Sequence, residues 1–152
     1  LQEGAIPALL AMAFRAVMDR VHEQLAGEGF TDVRPAHGFV FQYLSTHPAA
    51  TAVELGEHLG ITKQAAVQLV DELDRRGYVE RRPHPHDRRS RVVALTPRGW
   101  HCIRRVVEAW TGIEQEWARL IGTERLRELH DDLVTLTDHT GDGRRVPLRP
   151  VW

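Results

Sequence analysis

Apolar residues recur along the first half of this chain at helical spacing. Ile6, Leu10, Phe14, Val17, Val21 and Leu25 share one stripe. This predicts a helix that Pro7 opens and that Gly27 and Gly29 close. A second helix is expected from Pro35 to just before Pro48, with Phe39, Val40, Tyr43 and Leu44 buried. Thr51-Ala-Val-Glu54 has the form of a capping box, in which each side chain bonds the other residue's free backbone N–H. It starts a short helix carrying Val53, Leu55 and Leu59, which Gly60 ends. Thr62 is placed to cap a fourth helix, Lys63 to Arg76, closed by Gly77. The apolar stripe of that helix is Ala66, Leu69, Val70 and Leu73. Its opposite face carries Lys63, Gln64, Val67, Gln68 and Asp71.

The pattern then changes. Tyr78 to Arg82 and Arg91 to Thr96 have strand character, and Pro83, Pro85, Asp87 and Ser90 between them are turn residues. Thr96-Pro97 opens a long helix with Trp100, Ile103, Val107, Trp110, Trp117 and Ile121 as its core stripe. Gly122-Thr123 breaks it, and Leu126, Leu129, Leu133 and Leu136 follow at spacings of three and four. In the Pro- and Gly-rich tail, Val146, Leu148, Val151 and Trp152 are unusually apolar and are expected to dock on a partner. Two short helices joined by a tight Gly-containing turn form a helix-turn-helix. A hairpin directly after it is a wing.

Composition adds few constraints. The 152 residues, 42% of them hydrophobic, suit one globular domain, with or without arms that pair it with a copy of itself. Cys102 is the sole cysteine, which excludes an internal disulfide and suits a reducing cytoplasm, the expected location. No apolar run is long enough for a bilayer, and the N-terminal apolar residues belong to a periodic helix rather than a signal core. Net charge is −1, so this is no simple polybasic protein. Its distribution is uneven, however. Between Arg75 and Arg105 stand ten arginines against only Glu80 and Asp87. A local cationic face on a neutral protein points to an anionic partner contacted in one place.

The order of elements, centred on TAVELGEHLGITKQAAVQLVDELDRRGYVERRPHPHDRRSRVVALTPRG, resembles the MarR family of winged helix-turn-helix repressors. The most specific feature is the D-x-R wing signature Asp87-Arg88-Arg89, with Leu95-Thr96 and a P-x-G after it. The resemblance implies a mainly α fold with a small β-hairpin wing. Residues 1–34 would be an N-terminal dimerisation arm, 35–98 the DNA-binding lobe, and 99–152 C-terminal dimerisation helices and tail. It also implies a homodimer on double-stranded DNA with a pseudo-palindromic operator, released by a small-molecule effector. By resemblance, Asp87 pins the wing by pairing with a neighbouring arginine, and Arg88 or Arg89, with Arg91 beside them, reaches DNA. An effector pocket would form where the dimerisation helices meet the lobe, with His37, Phe41, His101 and Trp110 as candidates by position. Relatives that sense oxidants do so with a cysteine in the first helix, where this chain has none.

The chemistry of the residues supports the same picture. Narrow grooves attract arginine. Gln64 and Gln68, one turn apart, are suited to adenine edges, and Val67 or Ala65 to a thymine methyl. Thr62 and Lys63 are better placed for phosphate. A metal site on His84, His86 and Asp87 lacks a fourth ligand and a nearby cysteine, so no metal or other cofactor is expected. Cys102 reads as a small buried residue, although Arg104 and Arg105 could lower its pKa. No catalytic motif is present, so no enzymatic activity is expected. Two other readings stay open: a winged-helix module that binds protein, and a metal- or redox-responsive regulator.

Overall fold

A computed structural model of the protein describes residues 5–140. Six helices and one hairpin follow in the order α1 (Ile6–Gly27), α2 (Pro35–Thr46), α3 (Ala52–Leu59), α4 (Lys63–Arg75), β1 (Val79–Pro83), β2 (Arg91–Leu95), α5 (Pro97–Ile121) and α6 (Thr123–Thr140). The apolar tail residues Val146 to Trp152 lie outside the described residues.

Local signals start the helices. The Thr51–Glu54 box forms in both directions, with the Thr51 N–H donating to the Glu54 carboxylate at 2.7 Å and the Glu54 N–H to Thr51 Oγ1 at 3.2 Å. Thr62 Oγ1 accepts from the Ala65 N–H, and Thr96 Oγ1 from the Gly99 N–H, each at 3.2 Å. The left-handed residue Gly60 ends α3. The two helices of the motif then cross closely because Gly56 faces Ala66. A Cβ on Gly56 would sit 3.0 Å from the Ala66 Cβ, so a larger residue would push α3 and α4 apart.

β1 and β2 pair antiparallel, from Val79 opposite Leu95 to Pro83 opposite Arg91. Ala50, in the connection before α3, accepts from the Val93 N–H at 2.8 Å, so β2 is bonded on both edges. The lobe core is closed: Val40, Leu55, Ala66, Val70, Leu73 and Tyr78 are fully buried.

Two predicted stripes are displaced. In α2 the buried residues are His37, Val40, Phe41 and Leu44, whereas Phe39 and Tyr43 are only half-buried. The polar His37 occupies a core position of the i, i+3, i+4, i+7 pattern and so disguises it. In α5 the buried line is Gly99, Cys102, Ala109 and Ile113. Its small residues let neighbouring backbone approach. Ile103, Trp110 and Trp117 flank that line half-buried, while Trp100 and Val107 are exposed. The predicted α1 stripe is buried only at Val21 and Leu25, and α6 buries no residue at all.

Candidate nucleic-acid interface

The exposed end of α4 is its N-terminus. Thr62 caps it through its hydroxyl, leaving Lys63 and Gln64 exposed on the first turn. Gln68 is exposed one turn later, with Val67 half-buried between them. The free N–H groups and the positive end of the helix dipole therefore face outward beside a lysine, a setting that favours anions.

The wing supplies the second surface. At its tip the His84 N–H donates to the Ser90 carbonyl and the Ser90 N–H to the Asp87 carbonyl, each at 3.1 Å. Asp87 does not pair with an arginine side chain. Its carboxylate accepts the Arg89 backbone N–H at 2.9 Å, closing the turn locally. Asp87 therefore leaves the arginine side chains uncommitted. His84 Nδ1 accepts from the His86 N–H at 3.1 Å, and the two rings meet edge-on with centroids 6.2 Å apart. Among the described residues no group of three or more His, Cys, Asp or Glu is arranged to hold a metal ion.

Ion pairing divides the arginine-rich run. Arg76 pairs with Glu72, Arg81 with Asp71 and Asp74, Arg82 with Glu80, Arg98 with Asp32, and Arg105 with Glu28 and Glu108. Arg88, Arg89 and Arg91 are exposed and have no acidic partner among the described residues. Among the described residues Arg75 and Arg104 also lack an acidic partner, but only at the wing tip do three such arginines stand together.

Behind this face lies a cavity of about 220 Å³ between α1, α2 and α5. Its walls are almost wholly apolar, with Phe14, Met18, Phe39, Phe41, Ile103 and Trp110 among them and Cys102 contributing a thiol. Two of the four candidate pocket residues, Phe41 and Trp110, line it. His37 and His101 lie outside its walls. His37 is fully buried in the lobe, where its Nδ1 accepts the Arg34 N–H at 3.1 Å. Burial, with the nearby Arg34 charge adding to it, lowers its pKa to about 4, so the ring is neutral. With Nδ1 accepting, the proton sits on Nε2, which lies 3.8 Å from the Glu72 carboxylate. His101 is exposed and packs on Phe30 with centroids 5.6 Å apart. Burial pushes the Cys102 thiol up to about 11 and outweighs the opposing Arg98 charge, so it is not a thiolate at neutral pH.

Sequence reasoning misses a polar network under the lobe. The Tyr78 hydroxyl donates to Asp32 at 2.7 Å, and Arg98 donates to the Tyr78 oxygen at 3.1 Å while lying over the Tyr78 ring. Burial and the Asp32 bond raise the Tyr78 pKa to about 12. Glu72 of α4 meanwhile pairs with both Arg34 and Arg76. The Tyr78–Asp32 and Glu72–Arg34 partners are far apart in sequence, and no local signal announces them.

A helix-turn-helix followed by a β-wing and set between long helices defines a winged-helix protein. The model of the MarR family matches residues 31–90. Over 73 residues the chain is 36% identical to the transcriptional repressor MprA of Escherichia coli K12, an alignment spanning 47% of this chain and 42% of MprA. The chain therefore spans less than half the length of the curated relatives it matches. Its fold is similar to that of the solved structure of RV1404 from Mycobacterium tuberculosis, with TM-score 0.77 and 23% identity over 91% of this chain and 94% of that one. It is also similar to a MepR mutant of S. aureus bound to an oligodeoxyribonucleotide, with TM-score 0.64 and 18% identity over 88% and 96% of the two chains. The part of the chain that matches the MarR family is thus its winged-helix lobe.

Proposed function

We propose that the protein is a transcriptional repressor that binds a pseudo-palindromic operator as a homodimer and is released by a small-molecule effector. The observation that carries DNA binding is the unpaired guanidinium cluster of Arg88, Arg89 and Arg91, on the hairpin that follows an α4 whose capped N-terminus presents Lys63, Gln64 and Gln68. α4 enters the major groove and reads base edges, and the wing lies along the adjacent backbone or minor groove. The MepR relative bound to an oligodeoxyribonucleotide supports this reading.

Dimerisation is supported by the apolar side chains left open on α1 and α6, including Phe14, Leu129 and Leu136. Two half-sites need two reading helices. Effector release is supported by the cavity and by what adjoins it. Val33 and Pro35 line the cavity, while Arg34 between them pairs with Glu72 of α4. A ligand that shifts residues 33–35 therefore pulls directly on the reading helix.

The test is a binding titration, across several salt concentrations, on a duplex that the wild-type protein selects from a random pool and on an unselected duplex. Arg89→Ala is expected to weaken both and to flatten the log–log salt dependence by about 0.9, the change that follows from removing a single phosphate interaction. Gln68→Ala is expected to cost roughly 1–3 kcal/mol on the selected duplex and little on the other. If Arg89→Ala binds like wild type at every salt, the wing assignment fails. A protein that retains no duplex even at low salt is instead the protein-binding module.

A further inference from the structure

Arg81 stands in the middle of the cationic run, two strand positions before the end of β1, yet it differs from the tip arginines. From β1 its guanidinium reaches across to α4, where Nη2 lies 2.5 Å from Asp71 Oδ1 and Nη1 lies 3.2 Å from Asp74 Oδ2. Its side chain is 29% exposed, against 60% for Arg82 on the opposite side of the strand. Asp71 lies on the same helical stripe as Gln64 and Gln68, at steps of four and three residues. Gln68, Asp71, Asp74, Arg75 and Arg81 surround one shallow depression beside the reading face.

A carboxylate there is out of place on a DNA-binding surface. With the N-terminal half of α4 in a groove, Asp71 follows Gln68 by three residues toward the flanking phosphates, and a Debye length of about 10 Å at 0.1 M salt leaves charges at such short range incompletely screened. The four charged residues of the depression cancel: Asp71 and Asp74 against Arg75 and Arg81. Arg75 directs its Nε to the Asp71 backbone carbonyl and makes no ion pair with either carboxylate, so Arg81 alone bridges both. Without Arg81 the depression carries a net negative charge beside the path of the backbone.

We propose that Arg81 is a positioning residue for DNA reading: as an internal counterion held between Asp71 and Asp74, it screens the two carboxylates from DNA phosphates and does not itself touch DNA. This rests on the DNA-binding reading above. It also divides the arginine-rich run by role, with the tip arginines directed at DNA and Arg81 directed at the protein's own acids.

The experiment compares Arg81→Ala, Asp71→Asn/Asp74→Asn and the triple variant with wild type, on the wild-type-selected duplex and the unselected duplex, as a function of salt. Thermal melting confirms that each variant is folded at the assay temperature. Arg81→Ala is expected to weaken both duplexes by about tenfold at low salt through like-charge repulsion, a loss that shrinks as added salt screens the freed carboxylates. The Asn pair alone is expected not to weaken binding, and the triple variant to recover to within about threefold of wild type. A triple variant that stays as weak as Arg81→Ala, with its slope flattened by about 0.9, overturns the proposal, because Arg81 then touches phosphate. Weakening by the Asn pair equal to that of Arg81→Ala also overturns it, because the ion pairs then only hold the wing in place. The triple variant, which leaves no unpaired carboxylate, decides the matter even if Arg81→Ala fails to fold. A wild-type protein that retains no duplex brings down the DNA-binding reading itself, and with it any role for Arg81 in DNA reading.

Discussion

The winged-helix lobe and the helices around it use the same apolar periodicity to opposite ends. In the lobe, Leu55, Leu59, Val70, Leu73 and Tyr78 show at most 1% exposure, and the chain itself supplies every neighbour they need. On α1, Ile6 and Met12 are each 65% exposed, and on α6 Leu136 is 56% exposed. The same division appears among the charges. Arg81 and Arg82 at the base of the wing are neutralised within the chain, whereas Arg88, Arg89 and Arg91 at its tip are not. Groups satisfied within the chain build the fold. Groups left open are available to something outside it, an apolar partner for the arms and an anionic one for the wing.

The comparison is broken most sharply at Leu73. Leu73→Ala is expected to cost about 2–5 kcal/mol, because a fully buried lobe position cannot collapse around the missing atoms. Urea denaturation at several protein concentrations checks this, and the loss should be the same at each. A loss that grows on dilution would mean that the lobe, too, depends on a partner.

Next in size is a pH effect confined to the lobe. Folded His37 resists protonation down to about 4, whereas the unfolded chain takes up that proton near the ordinary value of 6.5. Its contribution is therefore complete above pH 6.5 and is lost as the pH falls toward 4, by roughly 3 kcal/mol in all. His37→Gln should flatten the urea midpoint against pH between 6.5 and 4.5. An unchanged slope in that variant would mean that His37 is already charged in the folded state.

The smallest effect on stability belongs to the arms. Leu129→Ala/Leu136→Ala should leave the urea midpoint of isolated monomer within about 0.5 kcal/mol, since neither side chain is buried by its own chain. Sedimentation of the same variant should instead show a shift from dimer to monomer. A large loss of monomer stability with no change in assembly would reverse the roles assigned to lobe and arms.

Legibility follows range. The helix starts at Thr51, Thr62 and Thr96 depend on bonds spanning three residues, and all three form where the sequence predicts them. The hairpin is visible from turn residues between two short strand patterns. The core of α2 is harder to read because a histidine stands at one of its buried positions, and polarity alone cannot reveal that the Arg34 N–H will bond to that histidine. In α5, tryptophans mark a stripe more loudly than Gly99, Cys102 and Ala109, the small residues that allow close approach. Asp87 takes a backbone N–H two residues away rather than the arginine side chain expected from the resemblance.

The kinds and order of the elements, their caps, and the run in which positive charge is concentrated are all written in the chain alone. They depend on neighbours along it, and the residues that make each bond can be seen together in one short stretch. Which arginines in that run are uncommitted, and which apolar faces stay open, is settled only when the elements pack. Arg81 is committed because β1 passes beside α4, Tyr78 meets Asp32 across 46 positions, and α6 buries none of its residues. A charge or an apolar side chain is free or satisfied according to what lies within a few ångströms of it, and that is set by how distant parts of the chain come together.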